Sequence, residues 1–322
     1  TYLLFAGAEK CFDRLWLEDC LIDIVKDGMR EREANILFEM NKKASLKVIT
    51  PCGETDNIKV ERIHKQGAIY GPQLCCSSTS KIDEVGEIKP ETFISRNLAI
   101  GTLIYVDDIL SGGSIETIEE TGKHLRQMEK KKGARFNTSK TNYLIVKSRK
   151  DKGKEPIITV ENGIVKRTER YNYLGNWIGE DGKATLQIEE KEKEVTRLII
   201  EVNKIGKEEW LGILSIEARL TMYEKTIVPG IIYNLECWTK LEDKVIERVE
   251  KIQGKILKGI LQLPESTPYW GILHETGIWP MEKKIWYHRL MLYQNMMTSD
   301  NERLGKIVIE IQQEQNGNNW YS

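Results

Sequence analysis

Leu98-Ala-Ile-Gly-Thr-Leu-Ile-Tyr-Val-Asp-Asp-Ile-Leu-Ser-Gly-Gly-Ser114 is the stretch that decides how this chain folds. Its apolar residues up to Val106 read as a strand, two carboxylates follow side by side, and Ser111-Gly-Gly-Ser114 reads as a glycine-rich turn. A strand sends successive side chains to opposite faces, so Asp107 and Asp108 act together only where a tight turn intervenes. There the two charges repel, and one pKa rises unless a cation neutralises them. Hard divalent ions such as Mg2+ favour carboxylate oxygen, and two of them about 4 Å apart clamp a phosphoryl transfer. Taken alone, the pair is equally well read as a polar turn that caps a strand.

Beyond this stretch a helix is well marked. Ser114 stands at its N-cap, Ile115, Ile118, Gly122, Leu125 and Met128 share one face, Lys130 to Lys132 suit the C-terminal dipole, and Gly133 closes it. Upstream, Trp16 to Val25 carries helical spacing ended by Gly28, and Leu46–Thr50 with Ile58–Ile63 reads as a hairpin through Pro51-Cys-Gly53. Val160-Glu-Asn-Gly163-Ile-Val165 predicts a second hairpin, with Asn-Gly in a type I′ turn. After about Gly175 the period is helical. Val195, Leu198, Val202 and Ile205 form one stripe. Ile213, Ile216, Leu220, Tyr223 and Ile227 form another, stopped by Pro229-Gly230. Val245 to Leu263 forms a third, stopped by Pro264. The expected class is α+β, with an antiparallel sheet and packed helices over 1–175, a helical region over 176–300 and a C-terminal tail over 301–322 that is polar from Gln312 on.

Composition narrows the function classes. The 322 residues are 40% hydrophobic and 30% charged, enough for two domains with real cores. No apolar run approaches about 18 residues, so no transmembrane helix is expected. The start, Thr1 to Ala6, lacks a basic leader and reads as a strand that the chain begins inside, hence the expectation of a fragment. None of the six cysteines sits in a CxxC pair, which favours a reduced, intracellular setting and argues against zinc. Adjacent Cys75 and Cys76 read as small core residues. Net charge is −1, which lends no support to nucleic-acid binding. The four histidines are scattered and suggest no site.

Several segments together are more specific than any one. Tyr105-Val-Asp-Asp108 resembles the YxDD box of reverse transcriptases, and four other segments match that family in order. Phe5-Ala-Gly-Ala-Glu-Lys-Cys-Phe-Asp13 is similar to the first palm motif, close to DAEKAFD in non-LTR (LINE-type) retrotransposons. Gln66-Gly-Ala-Ile-Tyr-Gly-Pro72 resembles the QGxxxGP segment. Gly133-Ala-Arg-Phe-Asn137 with Ser139-Lys-Thr141 resembles the motif that follows the catalytic box, and Tyr173-Leu-Gly175 the YLG turn. Leu263 to Pro268 and Glu275 to Pro280 also end the helical half in the family's manner.

The resemblance implies an RNA-directed DNA polymerase palm followed by a thumb-like region. Its implied partners are RNA template, DNA primer and dNTP, and its implied cofactor is Mg2+ or Mn2+ held by Asp107 and Asp108. Gln66 and Gly67 would carry template and nucleotide, Phe12 would crowd the ribose 2′-OH, Tyr105 would line the nucleotide site, and Lys140 would aid the departing pyrophosphate. Tyr173, Leu174 and Gly175 would form the primer grip. One position departs: Gly7 stands where the family has its third metal-binding aspartate, and glycine offers no ligand atom. Fingers and endonuclease would lie outside this sequence. The expectation is therefore an impaired copy, with a non-catalytic nucleic-acid- or protein-binding relic as the alternative. A receiver-type phosphoacceptor is disfavoured because its acidic pair falls near the chain start.

Overall fold

The computed structural model describes residues 1–10, 14–42, 44–59, 68–80, 93–95, 98–99, 102–146, 155–207, 215–238, 241–300 and 303–314. Two compact units divide it, Thr1–Leu174 and Gly175–Ser322. The fold is α+β.

The first unit is built on five strands: β1 (Tyr2–Gly7), β2 (Thr102–Tyr105), β3 (Asp108–Gly113), β4 (Asn142–Ile145) and β5 (Lys166–Arg167). Their order is β5-β4-β1-β3-β2, with β1 at the centre. All pairings are antiparallel except β4 with β5, which is parallel. The antiparallel sheet expected from sequence is present, with one parallel pairing at its edge.

Alternation along β1 separates two faces. Leu4 and Ala6 join the core formed with Leu15, Leu21, Ile118, Leu125 and Met128. Phe5, wholly buried, packs on the other side, its ring stacked on Tyr171 at 4.2 Å. Helices α1 (Leu17–Lys26), α2 (Glu31–Lys42), α3 (Gly71–Ser80) and α4 (Ile115–Lys132) complete the unit. The predicted caps of α4 are present: Ser114 Oγ accepts from Thr117 N at 3.2 Å, and Gly133 adopts φ +72°. Lys132 serves packing as well as the helix dipole, because its Nζ lies 2.5 Å from Asp23 in a largely buried pair.

Three local expectations are corrected, and a fourth, the Pro51 hairpin, holds over the described residues. Ser111-Gly-Gly113 is strand, not turn, because β3 runs on beside β1 and Gly112 leaves room for Leu3, whose Cδ2 would lie 3.1 Å from an added Cβ. In the second hairpin Val160 pairs with Gly163, so the loop is Glu161-Asn162, and the positive φ belongs to Gly163 alone. Cys75 is buried but Cys76 is exposed. The Pro51 hairpin forms as Ile49–Thr50 with Gly53–Glu54 and Ser45–Leu46 with Ile58–Lys59, and its predicted continuation to Ile63 lies outside the described residues.

The second unit holds α5 (Thr185–Lys207), α6 (Ile216–Met222), α7 (Val228–Ile232), α8 (Asp243–Leu261), α9 (Tyr269–Thr276), α10 (Met281–Met297) and α11 (Leu304–Glu314). Val245, Val249, Ile252 and Ile256 of α8 are buried as the third stripe predicts, and Gln262 in the left-handed region ends the helix before Pro264. Arg248 Nε lies 3.1 Å from Glu192 Oε1, tying α8 to α5. Pro229-Gly230 does not stop the second stripe. A π turn, Tyr223–Ile227, widens the backbone just before Pro229, so the missing N–H breaks no ladder bond and α7 continues. Ile213 and the side chains of the first stripe lie outside the described residues. Within the expected C-terminal tail Leu304–Glu314 form α11, anchored by buried Ile309, and the polar stretch past Glu314 lies outside the described residues.

Candidate active site

The site is built at the end of β1. Its strand register makes Gly7 the direct partner of Asp108, and Asp108 the partner of Tyr105 across the β2–β3 hairpin. Only Val106 and Asp107 form the loop. Val106 adopts φ +57°, a conformation that a β-branched residue takes only when its surroundings force it. The Asp107 carbonyl accepts from Ala8 N at 2.9 Å, which locks this hairpin to the chain leaving β1. The tight turn required to bring the two carboxylates together is thus present, at Val106-Asp107 rather than downstream.

Asp108 lies on the face of the sheet that carries Phe5, two residues from Gly7 on β1. Its pKa is raised above the usual carboxylate range by burial first and by the Asp107 charge second, while Lys140 pulls it down. Burial drives Tyr171 up to about 12, helped by Asp108 and then Tyr173, and Tyr173 is raised by burial and then Asp108. These shifts put both tyrosines within the field of Asp108. Tyr171 donates its hydroxyl to the Lys140 carbonyl at 2.7 Å. Lys140 stands next to Gly7: a Cβ added to Gly7 would meet Asp108 Oδ1 and Lys140 Cβ, each at 3.4 Å.

The structure therefore gathers Gly7, Asp107, Asp108, Lys140 and Tyr173 from the residues singled out in the sequence. Tyr105 is exposed, on the strand bearing the hairpin. Leu174 and Gly175 follow Tyr173 with φ +50° and +77°, two consecutive left-handed residues that reverse the chain. Gly175 also has no room for a side chain, since a Cβ would come within 2.9 Å of the Tyr233 ring. Phe12, Gln66 and Gly67 lie outside the described residues. Phe5 and Tyr171 went unremarked as site residues; the only signal was the i, i+2 spacing of Tyr171 and Tyr173 on one strand.

The site is a poor match for two divalent ions. Two carboxylates sit on one turn, the facing position is a glycine, and a lysine stem lies against it. Among the described residues no group of three His, Cys, Asp or Glu side chains is placed to hold a metal.

No family model matches the chain, and no curated protein does. Similar solved structures exist. Apo telomerase from Candida tropicalis truncated from its C-terminal domain is 16% identical over 55% of this chain and 34% of its own, with a TM-score of 0.39. Apo telomerase from Candida tropicalis is 13% identical over 81% of this chain and 42% of its own, TM-score 0.41. Telomerase from Candida albicans, in complex with a TWJ fragment of telomeric RNA, is 9% identical over 97% of this chain and 50% of its own, TM-score 0.40. This chain spans a third to a half of their lengths. Likenesses this distant say nothing of activity, and the reading of the site rests on its own residues. Among those described, no helix is long and apolar enough to cross a membrane.

Proposed function

We propose that this chain is a reverse-transcriptase-like palm and thumb-like region of LINE-type retroelement origin, disabled for nucleotide addition at its metal site. Five palm-like motifs in family order support the origin. The pairing of Gly7 with Asp108 carries the reading: the position that would supply the third carboxylate faces the acidic hairpin and holds no ligand atom. Polymerases of this kind need Mg2+ or Mn2+ to activate the primer 3′-OH and neutralise the triphosphate, and a missing first ligand costs more than the roughly 10–100-fold typical of an outer partner. What remains would act inside the cell as a binding module for RNA template and DNA primer. Primer extension with dNTP and Mg2+ or Mn2+ tests this, with Asp107→Ala as background. The expected result is no extension above that background. Extension by the unaltered chain that Asp107→Ala abolishes would overturn the reading.

A further inference from the structure

We propose that the outward face of α10 is a self-association surface, on which a second copy of this chain docks through the same face with the two helices antiparallel. The helix is inside out. A surface helix ordinarily turns its charges to solvent and its apolar side chains inward. In α10 Lys284 and Arg289 are buried with Met281 and Ile285, Lys284 paired with Glu224 and Arg289 donating to the Trp238 carbonyl. Tyr287, Leu290 and Met291 instead stand 52%, 63% and 39% exposed, and Trp286 37%. The Arg289 guanidinium lies 5.1 Å from the centre of the Trp286 ring and holds one face of it. Helix α11 packs at the far end of α10, where a Cβ on Gly305 would lie 3.4 Å from Met296 Cγ.

Area and charge both point to a second copy. At those exposures the four side chains, with Trp279 that lines a groove alongside Tyr287, present roughly 500 Å² of mostly apolar surface. A two-fold pair buries about twice that, the lower bound of a specific interface. Lys283, Tyr287, Leu290 and Gln294 recur at i, i+4, i+7 and i+11 and share the exposed face. In an antiparallel pair crossing at Leu290, Lys283 of each copy falls beside the helix C-terminus of the other. That terminus has no basic residue in its last turn, and exposed Asp300 follows it. The negative end of the helix dipole and the Asp300 carboxylate thus meet the ammonium twice, once on each side of the axis. The Lys283 link to neighbouring Glu282, at 3.9 Å between exposed groups, is too weak to compete.

Sedimentation velocity of the full chain, without nucleic acid, nucleotide or metal, tests this. Dimer should form at roughly 10–100 μM, as an interface near that lower bound implies. Leu290→Glu sets two carboxylates against each other at the axis and should weaken association at least about tenfold. Lys283→Glu and Asp300→Lys should each weaken it about fivefold, because each pair occurs twice. The double reversal should return it to within about twofold of the unaltered chain. All three positions are exposed, so helical circular dichroism should not change. If Leu290→Glu does not fold, the charge reversals carry the test. A chain that stays monomeric up to about 200 μM would overturn the proposal. So would a dimer indifferent to Leu290→Glu, which places the contact elsewhere, or a double reversal that recovers nothing. None of these outcomes depends on the acidic hairpin, so failure here and failure of the palm reading are told apart.

Discussion

Tyr171 links β1 to the turn that carries Lys140 through one ring and one hydroxyl. The ring stacks on Phe5, and the hydroxyl holds the Lys140 carbonyl. Tyr171→Phe keeps the ring and removes the bond, so stability near neutral pH should fall by about 1 kcal/mol. The sign of the pH effect follows from the raised pKa. An unfolded tyrosine ionises near pH 10, whereas the folded one resists ionisation up to about 12. This stabilising contribution is whole below about pH 10 and is lost as pH rises towards 12, because the unfolded chain releases its proton first. Chemical denaturation at neutral pH and across that alkaline window checks it. The Phe variant should lose less stability on alkalinisation, and an equal loss in both proteins would contradict the assignment. At Gly175 the left-handed φ and the Tyr233 ring both exclude a side chain, so Gly175→Ala should cost about 1–3 kcal/mol in the same assay. The acidic pair and Gly7 were legible because motif spacing marks them. Tyr171 was not, because its partners Phe5 and Lys140 are distant in sequence and meet only through sheet pairing.

Elements whose signals are local came through from sequence. The α4 helix has its Ser114 cap, its apolar face and its Gly133 stop, all read within twenty residues or so of one another. Where two signals competed, the structure chose by packing. Glycines at 112 and 113 suggest a turn, yet pairing with β1 draws them into a strand. Pro229 suggests a helix end, yet the π turn before it removes the conflict. Gly122 poses the same kind of contest inside α4. Replacing it by alanine should add about 1 kcal/mol of helix propensity. An added Cβ, however, would lie 2.6 Å from Cγ2 of Ile158, a β-branched side chain that is itself buried and stiff. Overpacking of this sort typically costs about 1–3 kcal/mol. Gly122→Ala should therefore be net destabilising, and Gly122→Ala combined with Ile158→Val should not recover the loss, since Cγ2 remains. A stabilised single variant in thermal denaturation would show that helix propensity wins.

Each unit keeps a core of its own, one drawn from Leu4 to Val165 and the other from Ile188 to Ile285, with no residue shared. Residues 175–322 produced alone should consequently melt cooperatively with full helical circular dichroism. Charge at the scale of the whole chain bears on binding. Lys and Arg number 48 against 49 Asp and Glu, so no overall field draws the chain to a polyanion. Any hold on a primer–template duplex must come from local contacts between basic side chains and phosphates. Each such contact releases condensed counterions, and the logarithm of affinity then falls linearly with the logarithm of salt, by about 0.9 per phosphate neutralised. With no net attraction to compensate, affinity should sit in the non-specific range of about 10⁻⁴–10⁻⁶ M near physiological salt. Between about 50 and 200 mM salt it should drop at least tenfold, as neutralising even two phosphates implies. Fluorescence anisotropy of a labelled duplex, titrated across that range, measures both quantities. Nanomolar binding indifferent to salt would mean that recognition runs through uncharged contacts to bases or sugars, which the near-balanced charge of this chain gives no reason to expect.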